Sequence, residues 1–265
     1  MIIDFHTHAF PEKIAAKAMA KLAYAAGLFP HTDGTIGSLR ELMRRDGVDL
    51  AVLLPIATNP ASQRHINDYA ISCAGDGILP FGTVHPDAPD VLEELEYLKE
   101  RGIKGLKFHP EYQQFFVDDE KMRPIYRKIS ELGLITVFHA GPDYGFRPPY
   151  HCMPENLLGA MKWLDSPVVA AHWGGTDQAP DVIKLLKGIP QLYLDTAFGY
   201  GTNIRPYAHE IIETFGADRI LFASDAPWHP PVWEIKLLET LELDGDVQNA
   251  IYSGNALHLL GISRR

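Results

Sequence analysis

Histidine and aspartate side chains stand in the sequence where short apolar runs end. His6 and His8 follow the apolar start of the chain, His139 follows the run LITVF, and Asp225 follows the run ILFAS. Imidazole nitrogens and carboxylate oxygens together suit Zn²⁺, and also Mn²⁺, Fe²⁺ or Co²⁺. The residue types therefore predict a divalent metal site, with zinc as the favoured ion, built from these four side chains.

Such ligands can meet only if the fold brings the ends of distant strands together. Apolar runs rich in β-branched residues alternate with stretches of helical period, and the predicted strands are 2–5, 50–55, 78–83, 105–108, 135–138, 168–171, 192–195 and 220–223. Mostly uniform apolar character is typical of parallel strands that are covered on both faces. Eight such units in 265 residues favour an α/β fold, a TIM-like (β/α)₈ barrel forming one domain over 1–265, with an open doubly wound sheet as the alternative.

In a barrel the carboxyl ends of all strands meet at one mouth, which is where the active sites of such barrels lie. Residues i and i+2 of a strand face the same way, so His6 and His8 can both point into that mouth. The predicted helices include 87–101, 118–132, 154–164, 180–186, 206–215 and 232–241. An insertion after strand 1, residues 9–37, contains a predicted helix over 11–26, which is either a lid over the mouth or a surface helix.

Composition narrows the class of protein. The formal net charge is −10 and no basic run is present, which argues against a nucleic-acid partner. The two cysteines do not form a disulfide framework, and no uninterrupted apolar stretch is long enough for a membrane span. The start of the chain has no secretory pattern, so we expect a cytoplasmic protein that acts on a small molecule.

Several motifs resemble those of a known family. The runs DFHTH, VFHAG, AAHWGG, FASDAPW and YSGNALHLLGI look like the amidohydrolase superfamily, and most like its amidohydrolase-related branch, which includes aminocarboxymuconate semialdehyde decarboxylase and related hydrolases. The resemblance implies that His6, His8, His139 and Asp225 are metal ligands and that His172 is a pocket histidine near the metal-bound water or the substrate. It also implies that a homodimer is possible.

The number of metal ions depends on the segment GLKFHPEYQ. Binuclear relatives have a carboxylated bridging lysine at the end of strand 4, or a glutamate nearby, and here Lys107, His109 and Glu111 all stand in this region. His172 could then complete a second site. Because the bridging position is ambiguous, we expect one ion rather than two.

Other residues are candidates for substrate binding. Arg147, in the loop after strand 5, is a candidate clamp for a carboxylate, and Tyr144 of the same loop is a candidate wall residue. His109 and Trp228 follow predicted strand ends and are expected at the pocket. A rigid proline-rich surface loop and plain core packing are the alternative interpretations of these residues.

The expected activity is hydrolysis of a small lactone, ester or amide by metal-activated water. Asp225 would accept a proton from that water, and His172 would bond the substrate or relay the proton. The resemblance admits a second reaction, non-oxidative decarboxylation of an aromatic or unsaturated acid. A third possibility is a metal-stabilised binding protein that has lost catalysis.

Overall fold

Eight parallel β-strands run through residues 1–263, the part of the chain that the computed structural model describes. The spatial order of the strands follows the chain, with three strands in one sheet and five in the next. Their bounds are β1 Ile3–Thr7, β2 Leu50–Leu53, β3 Ile78–Pro80, β4 Gly105–Phe108, β5 Ile135–Phe138, β6 Val168–Ala170, β7 Leu192–Asp195 and β8 Ile220–Leu221.

Backbone pairing continues across both gaps between the two sheets. After β3, Gly82 forms a parallel bridge with Leu106 of β4. On the other side, the Phe5 N–H of β1 donates to the carbonyl of Phe222, which follows β8, over 2.9 Å. The strands therefore form a ring, and the predicted (β/α)₈ barrel is confirmed.

Twelve α-helices surround or cap this ring in residues 1–263. They are α1 Glu12–Ala26, α2 Ile36–Asp46, α3 Gln63–Ser72, α4 Val91–Glu100, α5 Pro110–Gln113, α6 Arg123–Glu131, α7 Pro154–Met161, α8 Ala179–Leu185, α9 Arg205–Phe215, α10 Pro231–Glu239, α11 Gly245–Asn249 and α12 Asn255–Leu260. Short 3₁₀ turns cover Pro60–Ser62, Glu120–Met122 and Ala217–Arg219, and Ala250–Gly254 is a π-helix. Within this part of the chain, no helix has both the length and the apolar character needed to cross a bilayer.

Several helices and strands are shorter than predicted, and local chemistry explains two of the differences. Helix α4 begins at Val91 rather than at residue 87, because Pro89 disfavours a helical conformation at the residue before it. Strand β8 ends at Leu221 rather than at residue 223, since the Phe222 N–H turns to the carbonyl of Ile251. Strands β4, β5 and β7 have the predicted bounds.

Two layers of apolar side chains hold the barrel together. The inner cluster includes Phe5, Val137, Val169 and Leu221, which come from four different strands. The outer cluster, between strands and helices, includes among others Leu106, Phe108, Phe138, Leu192 and Leu194. Because neighbouring residues of a strand face opposite ways, this division shows which side chains point into the ring. On β5 the inward set is Ile135 and Val137, and the next position in that series is His139.

Candidate metal centre

His6, His8 and Asp225 converge at the carboxyl end of the barrel. The Asp225 Oδ1 atom lies 3.4 Å from His6 Nε2 and 3.2 Å from His8 Nε2. All three side chains are largely shielded from solvent. The structure thus brings together three of the four residues predicted as metal ligands, from the two ends of the chain.

An irregularity in β1 contributes to this placement. Phe5 belongs to the inner apolar cluster, so strict alternation would turn His6 away from the ring. The pairing of β1 with β2 shifts register between Asp4 and Thr7, as at a β-bulge, which lets two consecutive residues face inward. The expectation that His6 and His8 point into the mouth is met, although simple alternation does not explain it.

Hydrogen bonds leave the Nε2 atoms of both histidines facing Asp225. His8 Nδ1 lies 2.7 Å from the carbonyl of Leu54, and a carbonyl only accepts, so the ring hydrogen is on Nδ1. His6 Nδ1 lies 2.9 Å from Asp195 Oδ2. Burial lowers the pKa of His6 well below its usual value, so this ring is neutral at pH 7. A histidine whose Nδ1 donates to a carbonyl or carboxylate presents the Nε2 lone pair that a metal needs.

His139 presents its Nε2 lone pair through a chain of bonds. His172 Nδ1 donates to the carbonyl of Ala197 over 3.3 Å, so in the neutral ring His172 Nε2 is an acceptor. That atom lies 3.0 Å from His139 Nδ1, which must donate the hydrogen. Burial lowers the pKa of His172 to about 4 and that of His139 well below its usual value, so both rings are neutral. The His139 Nε2 atom is consequently left buried and without a hydrogen-bond partner.

His139 also belongs to a second group of candidate ligand atoms, with His109 and Asp143, all within 4.8 Å of one another. His109 Nε2 lies 3.2 Å from Asp143 Oδ2, and His139 Nε2 lies 3.9 Å from the same oxygen. Burial raises the pKa of Asp143, but the hydrogen bond and charge of His109 outweigh it, and the net pKa is lowered. That His139 shares an ion with His6, His8 and Asp225 stays a prediction, as do the functional roles of the other site residues.

Lys107 is the residue of the β4 segment that reaches the centre. It is fully buried, and its Nζ atom lies 3.1 Å from His6 Nε2. Burial lowers the pKa of Lys107 to about 8. Glu111 instead lies behind His109, with Oε2 at 3.9 Å from His109 Nδ1. The possible bridging position for a second ion is therefore that of Lys107 and not that of Glu111.

Two of the central residues have unusual backbone conformations. His172 has φ of 61° and Asp225 has φ of 74°, in the left-handed region that non-glycine residues rarely adopt. Each such residue costs of order 1 kcal/mol and persists where the surrounding structure holds it, often at functional sites. At Asp225 the holding contact is a hydrogen bond of 2.9 Å from its N–H to the carbonyl of His6. His172 and Asp225 are two of eight non-glycine residues with positive φ in residues 1–263, and the others include the exposed Asp76 and Glu242.

The donor set fits a divalent cation. The carboxylate of Asp225 and the Nε2 atoms of His6 and His8 face one another, and the neighbouring His139 Nε2 is an orphaned buried acceptor. Because the buried rings are neutral, they offer lone pairs rather than positive charge. Nitrogen and carboxylate ligands of this kind suit Zn²⁺ and its transition-metal neighbours.

A cavity of about 450 Å³ opens above this centre. His8, His139, His172 and Asp225 line its buried end, and aromatic side chains line its walls. Helix α1, from the insertion after β1, contributes further lining residues, namely Lys13, Ile14, Ala18, Leu22 and Ala26. The insertion therefore lies at the mouth, as one of its two predicted interpretations required.

Of the four residues predicted to bind substrate, three line the cavity and one does not. Tyr144, His109 and Trp228 line the cavity. Arg147 is exposed and is not among the lining residues, so in this structure its side chain does not reach the cavity. The loop turns before it reaches Arg147, since the Asp143 carboxylate and carbonyl accept hydrogen bonds from the N–H groups of Gly145 and Phe146.

Two acidic residues of the site were not singled out from the sequence. Asp195 orients His6, and its other oxygen, Oδ1, accepts the N–H of His172 over 2.9 Å. It is the last residue of β7, so the strand-end rule that selected the histidines could have selected it too. Asp143 lies in a loop, and no periodic pattern predicts its contact with His109.

Comparison with known proteins identifies the family. The Amidohydrolase family profile matches residues 3–262, nearly the whole chain, and this protein is an enzyme of the amidohydrolase superfamily. An uncharacterized protein of Sinorhizobium fredii is 25% identical over 236 residues, covering 78% of each chain. The 4-sulfomuconolactone hydrolase of Rhizobium radiobacter is 25% identical over 187 residues, covering 64% of this chain and 58% of that protein.

Solved structures share the fold over nearly the full length. An uncharacterized TIM-barrel protein from Bordetella bronchiseptica superposes with a TM-score of 0.77 at 20% identity, covering 98% of both chains. A proposed 2-pyrone-4,6-dicarboxylic acid hydrolase from Pseudomonas putida gives 0.71 at 15% identity, covering 100% of this chain and 98% of that one. A dihydroxybenzoic acid decarboxylase from Polaromonas, with bound manganese and the inhibitor 2-nitroresorcinol, gives 0.71 at 16%, covering 100% and 98%.

Proposed function

We propose that this protein is a metal-dependent hydrolase of a small lactone or ester, with one divalent ion held by His6, His8, His139 and Asp225. The observation that carries the proposal is the convergence of Asp225 Oδ1 with His6 Nε2 and His8 Nε2, at 3.4 and 3.2 Å, at the buried end of a cavity. Zinc is the favoured ion because imidazole nitrogen dominates the ligand set, and manganese, iron or cobalt would also be accepted.

The chemistry divides between the ion and the protein. When bound, a divalent ion lowers the pKa of water towards about 7 and polarises a carbonyl group. The Asp225 carboxylate is placed to accept the proton that the attacking water loses, since it lies at the cavity wall with its Oδ1 towards both histidines. The apolar side chains of α1 and the aromatic walls give the reacting carbonyl a mostly apolar surrounding.

His172 has a role beside the ion rather than on it. Its Nε2 bonds His139 Nδ1 over 3.0 Å and is not free for a metal, and only the longer contact of Nδ1 with the Ala197 carbonyl is exchangeable. This arrangement supports one ion over two. Because the His172 ring is neutral and lines the cavity, it can bond a substrate oxygen, exchanging the long 3.3 Å contact with Ala197, without bringing a charge.

The choice of a lactone or ester follows from the cavity and from one relative. The cavity volume of about 450 Å³ is large enough for a small cyclic molecule such as a lactone. The curated relative named 4-sulfomuconolactone hydrolase links a protein of similar sequence to a lactone substrate. The resemblance to the decarboxylase structure, at 16% identity, concerns the fold alone.

The test uses purified protein saturated with Zn²⁺ or Mn²⁺ and a panel of lactones, aryl esters, amides and aromatic acids. Proton release from lactones or esters, with no CO₂ from the acids, is the expected result. The matched control pair is Asp225→Asn, expected to be inactive, and Asp181→Asn, an exposed aspartate on α8 that is expected to behave as wild type. Release of CO₂ without hydrolysis would overturn the proposal in favour of decarboxylation, and no turnover in metal-loaded protein would favour a binding protein.

A further inference from the structure

The rim of the cavity differs in charge from its buried end. The lining residues that are exposed include Lys13 of α1, Thr58 and His65, which all carry hydrogen-bond donors. The carboxylates that line the cavity, Asp143 and Asp225, are both at the sheltered end. A ligand that enters the cavity therefore meets donors at the rim and the candidate metal centre at the floor.

Lys13 is the single cation of this rim. Among the residues of 1–263 that line the cavity, it is the only lysine or arginine. In the same part of the chain no carboxylate lies within 4.0 Å of its amine. The Asp225 carboxylate contacts His6 and His8 instead. Glu12, which precedes Lys13 in the sequence, does not line the cavity.

Helix α1 places Lys13, but not Lys17, at the cavity. Ile14, Ala18 and Leu22 recur at four-residue intervals along one face of the helix and line the cavity, and Lys13 borders that face. Lys17, one turn further on, is exposed and is not a lining residue. The chain thus contains a matched pair of lysines on one helix, one at the cavity and one outside it.

We propose that the substrate is an anion whose carboxylate or sulfonate lies against Lys13 at the rim, while its reactive carbonyl faces the metal centre. This inference rests on the proposed function for the position of the carbonyl. An apolar cavity with an unpaired ammonium at its rim and metal-binding groups at its floor matches a molecule that is apolar between two polar ends. Lys13 thereby takes the role of anion clamp that the sequence had assigned to Arg147.

The experiment measures binding of unreactive probes to metal-loaded protein by isothermal titration calorimetry. The probes are 3-phenylpropionate, 2-phenylethanesulfonate and the neutral 3-phenylpropionamide. We expect wild-type protein to bind the anions more tightly than the amide. The variant Lys13→Met should weaken binding of the preferred anion by about fivefold, the upper range for a solvent-accessible ion pair, and leave the amide unchanged.

The control variant, Lys17→Met, removes the same charge from the same helix and should keep the anion preference of wild type. Comparison of the two anions separates a carboxylate substrate from a sulfonate. Equal anion affinity in Lys13→Met and wild type, equal losses in both variants, or no binding of any probe would each overturn the inference. If the Lys13-dependent preference is present but no lactone or ester is hydrolysed, the proposed function fails and the anion site stands. Hydrolysis without the preference would instead leave the proposed function standing and remove the anion site.

Discussion

Replacing Asp195 with asparagine should weaken metal binding even though Asp195 is not a proposed ligand. Asp195 Oδ1 accepts the N–H groups of His172 and Ala197, at 2.9 and 3.1 Å, so the oxygen of an asparagine must take that position. The amide nitrogen then replaces Oδ2 and faces His6 Nδ1, which lies 2.9 Å away in the wild type. Two donors would oppose each other, and relief requires moving the His6 hydrogen to Nε2, the atom that faces Asp225.

The size of the effect follows from the role of such partners. Loss of the group that orients a metal-binding histidine lowers metal affinity about 10- to 100-fold, or roughly 1.4 to 2.7 kcal/mol. Burial raises the pKa of Asp195 to about 7, and a cation bound at His6 would favour its carboxylate form. Competition with a chromophoric chelator at pH 7.5 gives the Zn²⁺ dissociation constant of each protein.

Asp181→Asn is the matched control. Asp181 is exposed on α8, so its substitution should leave the affinity for zinc unchanged. Thermal unfolding of both metal-free variants separates loss of the fold from loss of the metal. A folded Asp195→Asn protein that binds zinc as tightly as wild type would refute the reasoning about the His6 tautomer.

Three further predictions concern the centre and its surroundings. Asp225→Asn should lose bound zinc and activity together, as shown by metal analysis and turnover of one sample, whereas retained zinc would contradict its role as ligand. His172→Ala should lower kcat at least about 100-fold while keeping close to one zinc at saturating metal; loss of one of two equivalents would instead show a binuclear site. Burial raises the pKa of Glu111 to about 7, from 4.5 in the unfolded chain. Between these two values the native state keeps the Glu111 proton while the unfolded chain has lost it. The free energy of unfolding of the wild type therefore declines as pH rises from 4.5 to about 7. Glu111→Gln should therefore gain in free energy of unfolding relative to wild type, by up to about 3 kcal/mol between pH 5 and pH 8, in denaturant titrations with a chelator present; parallel pH profiles would contradict it.

Most of the fold was predictable because the strands are covered on both faces. Apolar runs such as the one forming β5 are continuous and β-branched, and β4, β5 and β7 have the predicted bounds in the structure. Strand ends also located His139 and Asp225, since the carboxyl ends of parallel strands share one mouth. Periodicity together with strand ends was sufficient for this part of the site.

The other contacts of the site depend on three-dimensional geometry that the periodicity of the sequence does not predict. The inward position of His6 arises from a register shift in β1, and the contact of Asp143 with His109 arises from the path of a loop. The position of Arg147 outside the cavity has the same kind of cause, because its loop turns before it reaches this residue. The part played by Lys13 required knowing which face of α1 meets the cavity.

An anomalous-scattering map from crystals grown with Zn²⁺ tests the central claim most directly. One strong peak within about 2.0–2.2 Å of His6 Nε2, His8 Nε2, His139 Nε2 and an Asp225 oxygen is the predicted result. A peak held by His109 and Asp143 alone, or no peak beside His6 and His8 in fully metal-loaded crystals, would contradict the proposed metal centre.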